Sequence, residues 1–252
     1  MKKIFLICLV AVVCAGSVAA QKTKEWTEWS QKEAQRVLTD SAWGQTQTEL
    51  GDSEVASASA VTKTSSTRDS GNLISDTAAK NMDSGETIGK KTAVPALYYR
   101  VCFLSAKPIR QAFIRMIELQ QQAPNPEKTA QLRTFIDRDF GDYIVLTLIV
   151  DGNDRKRLTP ATQEITGAEE TILQKSVYLE RKDGKRVPLS NYRAPGPDGM
   201  GAKFVFPRTI DGKPFIEPTS GEVRFVAEVG KTVKLNRRFK VADMMYEGKL
   251  EY

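Results

Sequence analysis

Ser176-Val-Tyr-Leu-Glu-Arg181, Lys182-Asp183-Gly184-Lys185, Arg186-Val-Pro-Leu-Ser-Asn-Tyr192 is the stretch whose reading decides the fold. Two runs rich in β-favouring residues flank Asp183-Gly184. That dipeptide suits the positive backbone angles of a tight hairpin. The pattern recurs downstream, where Val223 to Val229 and Thr232 to Phe239 flank Gly230-Lys231. Ala202 to Phe206 reads as a short strand, and Met244 to Tyr252 as a last one.

Upstream, Ala96 to Leu104 is dense in aromatic and β-favouring residues and reads as the first strand. Tyr143 to Val150 is apolar throughout except for Thr147, the pattern of a strand covered on both faces. Two helices are predicted between them. Ser105 caps the first, with Pro108 in its opening turn and Ile109, Ala112, Phe113, Met116 and Ile117 on one face. Asn125-Pro126-Glu127 opens the second, with Leu132, Phe135 and Ile136 as its apolar side. After Val150 the chain is read as mostly β. Strands and helices do not alternate regularly, so the expected class is α+β: a β-rich, sandwich-like domain with two helices after its first strand.

Residues 93–252 form that domain, and three regions precede it. Residues 1–20 read as a cleavable signal peptide: Met1-Lys2-Lys3, an unbroken apolar run from Ile4 to Val13, then Val18-Ala19-Ala20 before Gln21. A membrane contact is expected only if this segment stays uncleaved. Residues 21–44 hold a short helix, with Ser30 and Glu33 spaced as a capping box and Ala34, Val37 and Leu38 at helical spacing. Trp26, Trp29 and Trp43 all fall in this region. Residues 45–92 are rich in Ser, Thr, Ala, Gly and Asp and contain no aromatic residue, which predicts a disordered, low-complexity linker.

The chemistry is bounded by what the 252 residues lack. There is no histidine, which removes Ser-His-Asp and Cys-His machinery and the usual zinc sets. Of three cysteines, two lie in the leader, so Cys102 can form no intramolecular disulfide in the processed chain. Cys102 sits mid-strand and reads as a small buried hydrophobe. Gly85 to Lys91 imitates a phosphate loop but has one residue too few between its glycines and Lys91 where Ser or Thr belongs. Asp69-Ser70-Gly71 and Asp83-Ser84-Gly85 are chance repeats in the linker. Asp151-Gly152-Asn153-Asp154 reads as a turn, since Arg155-Lys156-Arg157 would repel calcium. No metal site and no cofactor are expected. Asp137, Asp139, Asp142 and Glu180 could supply a hydrolytic carboxylate pair only if the fold brings two together. The net charge of +6 is modest. Its basic clusters, at Arg155 to Arg157, Arg181-Lys182, Lys185-Arg186 and Arg237-Arg238, matter only if they share a face.

Three blocks also carry a family resemblance. These are Trp26-Thr-Glu-Trp29-Ser-Gln-Lys-Glu33-Ala34 through Leu38-Thr-Asp-Ser41-Ala-Trp43, then Ser105-Ala-Lys-Pro-Ile-Arg-Gln-Ala112, and Phe239-Lys-Val-Ala-Asp243-Met-Met-Tyr246-Glu-Gly248-Lys-Leu250. Together they resemble a family of uncharacterised bacterial exported proteins. The resemblance implies a signal peptide, a Trp-rich helix, a variable low-complexity stretch and a β-rich domain, and it implies no catalytic residues. The Gly-Trp-x-Thr-Asp motif that labels some sibling proteins is absent.

The reading that follows is a non-enzymatic, envelope-associated interaction module, located in the periplasm or outside the cell. Trp26, Trp29 and Trp43 are its expected docking residues, an envelope protein is the expected partner, and nucleic acid is not. The alternative is a carboxylate-dependent hydrolase of cell-wall or extracellular polysaccharide.

Overall fold

The computed structural model describes residues 24–51, 94–121 and 126–252, with the side chain of Lys128 left aside. The expected signal peptide and most of the expected linker, with its glycine-rich and Asp-Ser-Gly motifs, lie outside the described residues.

The class is α+β and β-rich. The elements in chain order are α1 (Gln31–Thr39), β1 (Gly44–Leu50), β2 (Ala96–Phe103), α2 (Lys107–Gln120), α3 (Pro126–Thr134) and β3 (Tyr143–Gly152). Next come α4 (Arg155–Thr166), α5 (Glu170–Ser176), β4 (Val177–Arg181), β5 (Arg186–Pro188), β6 (Asn191–Arg193) and β7 (Ala202–Pro207). The chain finishes with β8 (Thr209–Ile210), β9 (Lys213–Pro214), β10 (Glu222–Val229), β11 (Val233–Lys240), β12 (Met245–Tyr246) and β13 (Lys249–Leu250). A five-stranded sheet runs β1-β2-β3-β7-β6 and a four-stranded sheet β11-β10-β4-β5. All their pairings are antiparallel.

The two sheets face each other across one apolar core. Leu97, Val101 and Phe103 of β2 and Ile144, Leu146 and Leu148 of β3 meet Leu179, Phe225 and Phe239 of the smaller sheet. Edge-on rings bridge the gap: Phe103 to Phe239 at 4.9 Å and Phe204 to Phe225 at 5.5 Å. Both predicted hairpins form, and Gly184 and Gly230 have positive φ at their turns.

The N-cap of α2 is Ala106, with no side-chain cap bond, rather than the expected Ser105, whose hydroxyl accepts from the Val145 amide, and three larger expectations change. First, residues 45–50 are not linker. They belong to β1, which pairs with β2 from Gly44↔Cys102 to Leu50↔Ala96. Their polar sequence hides a strand because the core-side side chains bond instead of packing. Gln47 donates to the Lys234 carbonyl at 2.7 Å and accepts from the Asn236 amide at 3.2 Å. Gln45 donates to the Arg238 carbonyl at 2.7 Å. Two glutamines thus stitch β1 to the exposed edge of β11, an edge that would otherwise invite another strand. Second, the stretch after β3 is helical. Asp154 caps α4 by accepting from the Arg157 amide, while Ala161, Ile165 and Leu173 join the intersheet core. Pro160 and the threonines of α4 disfavour a helix locally, but burial of that face outweighs them. Third, Met244 to Tyr252 is a small β12–β13 hairpin rather than one strand.

Candidate functional site

The outer face of the larger sheet is only partly covered. Over β1, β2 and β3 lie α1 and α2, which bury Leu38, Cys102, Leu104, Ile109, Ala112 and Phe113 against it. The capping box forms as predicted: Ser30 Oγ accepts from the Glu33 amide and the Glu33 carboxylate from the Ser30 amide.

Arg110 ties this layer down while only 5% exposed. Its Nε donates to the Ile136 carbonyl at 2.7 Å and its Nη1 to the carbonyls of Leu104 and Ser105. Its guanidinium also lies 5.2 Å from the Phe140 ring centre.

Beyond the helices, the outer face of β7 and β6 is less covered than that of β3, where Val145 and Thr147 are buried. Val145, Val205 and Asn191 stand in one cross-strand row, and Thr147, Lys203 and Arg193 in the next. All of these except the buried Thr147 floor a groove of about 1170 Å³. One wall is Ile114, Leu132, Phe135 and Phe140, and the other runs from Ala194 to Met200. Tyr143, 49% exposed, stands in it. An apolar floor with polar groups at its margin is the usual make-up of a binding site.

The groove's charges are set locally. Lys203 Nζ bridges Asp198 at 2.8 Å, and Asp198 also accepts from the Met200 amide. Partial burial would raise the Asp198 pKa, but the ammonium and the amide outweigh it and hold it below the ordinary value. Arg138 lies 5.6 Å from the Phe140 ring centre. Asp139 accepts from the Gly141 amide at 2.8 Å.

The three tryptophans are placed against their own chain. Trp43 donates its indole N–H to the Glu251 carbonyl at 2.8 Å and meets the Tyr246 ring edge-on at 6.1 Å. It packs on both apolar clusters. Gly44, beside it, passes so close to α1 that a Cβ would lie 2.6 Å from the Val37 carbonyl oxygen. Trp29 donates to the Lys24 carbonyl, and its own carbonyl accepts from Arg115 at 2.7 Å. Trp26 is half-buried under Arg133, 5.4 Å from its ring centre.

Of the candidate carboxylates, Asp137, Asp139 and Asp142 fall in the segment between α3 and β3 and Glu180 in the smaller sheet. Asp137 lies beside Lys107 at 3.3 Å, and Asp139 lines the groove. Asp142 offers its backbone carbonyl to the Arg208 amide. Glu180 sits on the other sheet, where Arg224 chiefly, then Arg186, lowers its pKa. A general acid for glycoside hydrolysis needs a raised pKa, and Asp198 and Glu180 are shifted the opposite way. Burial pushes the Cys102 thiol up to about 12, where it is a poor nucleophile. Asn153 and Asp154 spend their side chains on the Ala96 amide and the start of α4. Among the described residues, no group of three or more His, Cys, Asp or Glu is placed to hold a metal ion. No described helix is long and apolar enough to cross a membrane.

Sequence reading missed the groove floor. The available signal was β7, Ala202-Lys-Phe-Val-Phe206, where Val205 falls on the face opposite Phe204 and Phe206. An apolar residue on that second face marks a surface that something covers.

No protein-family model and no curated protein matches this chain. Among solved structures, it is similar to a protein of unknown function from Burkholderia pseudomallei K96243, with 12% identity and a TM-score of 0.36. The overlap covers 56% of this chain and 72% of that one.

Proposed function

We propose that this protein is a non-enzymatic binding module, exported and envelope-associated, that holds a segment of an envelope protein in the groove over β3, β7 and β6. The observation that carries the reading is the groove itself, floored by Val145 and the half-buried Val205, walled by Phe135 and Phe140 and marked by the half-exposed Tyr143. Export rests on the leader-like residues 1–20. The tryptophans are a weaker docking surface than their sequence suggested, because Trp43 and α1 spend their contacts within the chain. Deleting residues 21–44 would strip the cover from the larger sheet, so it cannot isolate a docking role.

The test is photo-crosslinking in intact source cells, with the crosslinker at Tyr143. A discrete partner is expected, lost on Val205→Arg and retained on Ile172→Arg, a change at an exposed apolar residue on α5. Crosslinks from Tyr143 no stronger than those from position 172 would sink the proposal. Cell fractionation checks export, and retention in the cytoplasm would end the envelope reading.

A further inference from the structure

The outer face of the smaller sheet carries a different surface. In register across four strands stand Arg238 (β11), Arg224 (β10), Glu180 (β4) and Arg186 (β5). The neighbouring row pairs Lys240 with Glu222, and Lys182 follows beside them through its amide bond to the Glu222 carbonyl. At this end of the face, five cations therefore stand with two carboxylates. Glu180 is already occupied by Arg224 and Arg186. Arg238 reaches Glu222 only at 3.8 Å and is 63% exposed. Arg224 and Arg238 are direct cross-strand neighbours, an arrangement of like charges that costs stability. A concavity of about 540 Å³ lies among Lys182, Arg224, Arg238 and Lys240, with the carboxylates of Glu180 and Glu222 also in its lining.

From this geometry we infer that the face binds an anionic polysaccharide. An acidic group seated between Arg224 and Arg238 relieves their repulsion and meets Lys240 and Lys182 on the same side. The neighbouring groups select the polymer. The large exposed apolar residues Leu50, Tyr98, Leu119, Tyr143, Ile172 and Met245 all lie on other elements, so this face has no apolar wedge for a membrane. Its aromatic residue, Tyr178, is covered by Arg186 at 4.4 Å, which removes a stacking platform for bases. Two further arginines are spent elsewhere: Arg157 bridges Glu49 at 2.8 Å and Arg237 bonds Gln45 at 2.9 Å. The inference does not use the groove, so either site can fail without the other.

The experiment titrates the full chain with labelled alginate and heparin at several salt concentrations. Wild type is expected to bind both, with affinity falling as salt rises. Arg238→Gln/Lys240→Gln should weaken binding about tenfold at low salt and reduce the salt slope by about 2. Arg155→Gln/Lys156→Gln removes the same charge from α4 and should change affinity less than about twofold. Lys182→Gln, in an exposed turn, should weaken binding in the same direction and guards against misfolding of the double variant. Equal losses from both double variants, no binding by wild type, or tighter binding to duplex DNA or phosphatidylglycerol vesicles would each overturn the inference.

Discussion

The outer faces of the two sheets are opposites built from the same kind of strand. In β3 both faces are apolar: Ile144, Leu146 and Leu148 point to the intersheet core, and Val145 and Thr147 to the covering side. In β10 only Val223, Phe225, Ala227 and Val229 are buried, and Glu222, Arg224, Val226 and Glu228 alternate with them. Helices cover the first kind of face and water covers the second. The buried Arg110 on the covered side binds three carbonyls, whereas charges on the bare side interact weakly and remain free for ligands.

The sharpest test of that contrast exchanges one arginine on each side. Arg110→Ala leaves three interior carbonyls without their donor and is expected to cost about 4 kcal/mol in urea unfolding. Arg238→Ala should stay within about 0.5 kcal/mol, and equal losses would erase the distinction. Trp43→Ala comes next, at about 2–3 kcal/mol, because it removes a bridge between the two clusters and the bond to Glu251. Trp26→Ala, against the exposed edge of the cover, should cost under about 1 kcal/mol. If Trp26 proves as costly as Trp43, the cover extends further than the contacts indicate.

Within the bare sheet, Gly230→Ala is expected to cost about 1–2 kcal/mol. Its φ is +64°, and an added Cβ would lie 2.4 Å from Glu164 Cδ. That collision disturbs the carboxylate that accepts from the Lys231 and Thr232 amides. Gly184→Ala has similar backbone strain but open space around it, so its midpoint shift should be smaller.

Two titrations make the finest distinctions. With its folded pKa raised to about 12, Cys102 stays a neutral thiol while the unfolded chain ionises near pH 8.5. Its contribution is present below that pH and is lost as pH rises toward 12. A disulfide reagent at pH 8.5 should react only after urea is added, and rapid reaction of the folded protein would contradict the burial. Glu33 is lowered to about 2, first by Lys24 and then by Ser30. Its contribution to α1 is present above the ordinary carboxylate range and is lost as pH falls from about 4.5 to 2. A midpoint near 4.5 in the carbon-13 titration of its carboxyl would show that the capping box is open in solution.

Much of the fold was legible. The capping box at Ser30, the hairpins at Gly184 and Gly230, and the doubly apolar β3 are local patterns whose physics acts over a few residues. β1 was not legible, because Gln45 and Gln47 are stabilised by the edge of a strand almost two hundred positions away. Nor was α4, because Pro160 and its threonines disfavour a helix locally and only burial of Ala161 and Ile165 in the intersheet core outweighs them. The groove was visible only as one residue, Val205, on the unexpected face of a short strand. Of the candidate site residues, Asp137, Asp139, Asp142 and Glu180 were identifiable by type, but only the fold put Glu180 in the smaller sheet and left the other three in the segment before β3.

Residue order alone therefore accounts for the leader-like start, the lack of histidine, the α+β class and the turns, because composition and short-range spacing are properties of the chain. Assembly decided that Trp43 packs inward, that residues 45–50 close a sheet edge, and that Arg224 and Arg238 stand side by side. Those outcomes depend on register and on which faces compete for burial, and both involve residues far apart in sequence.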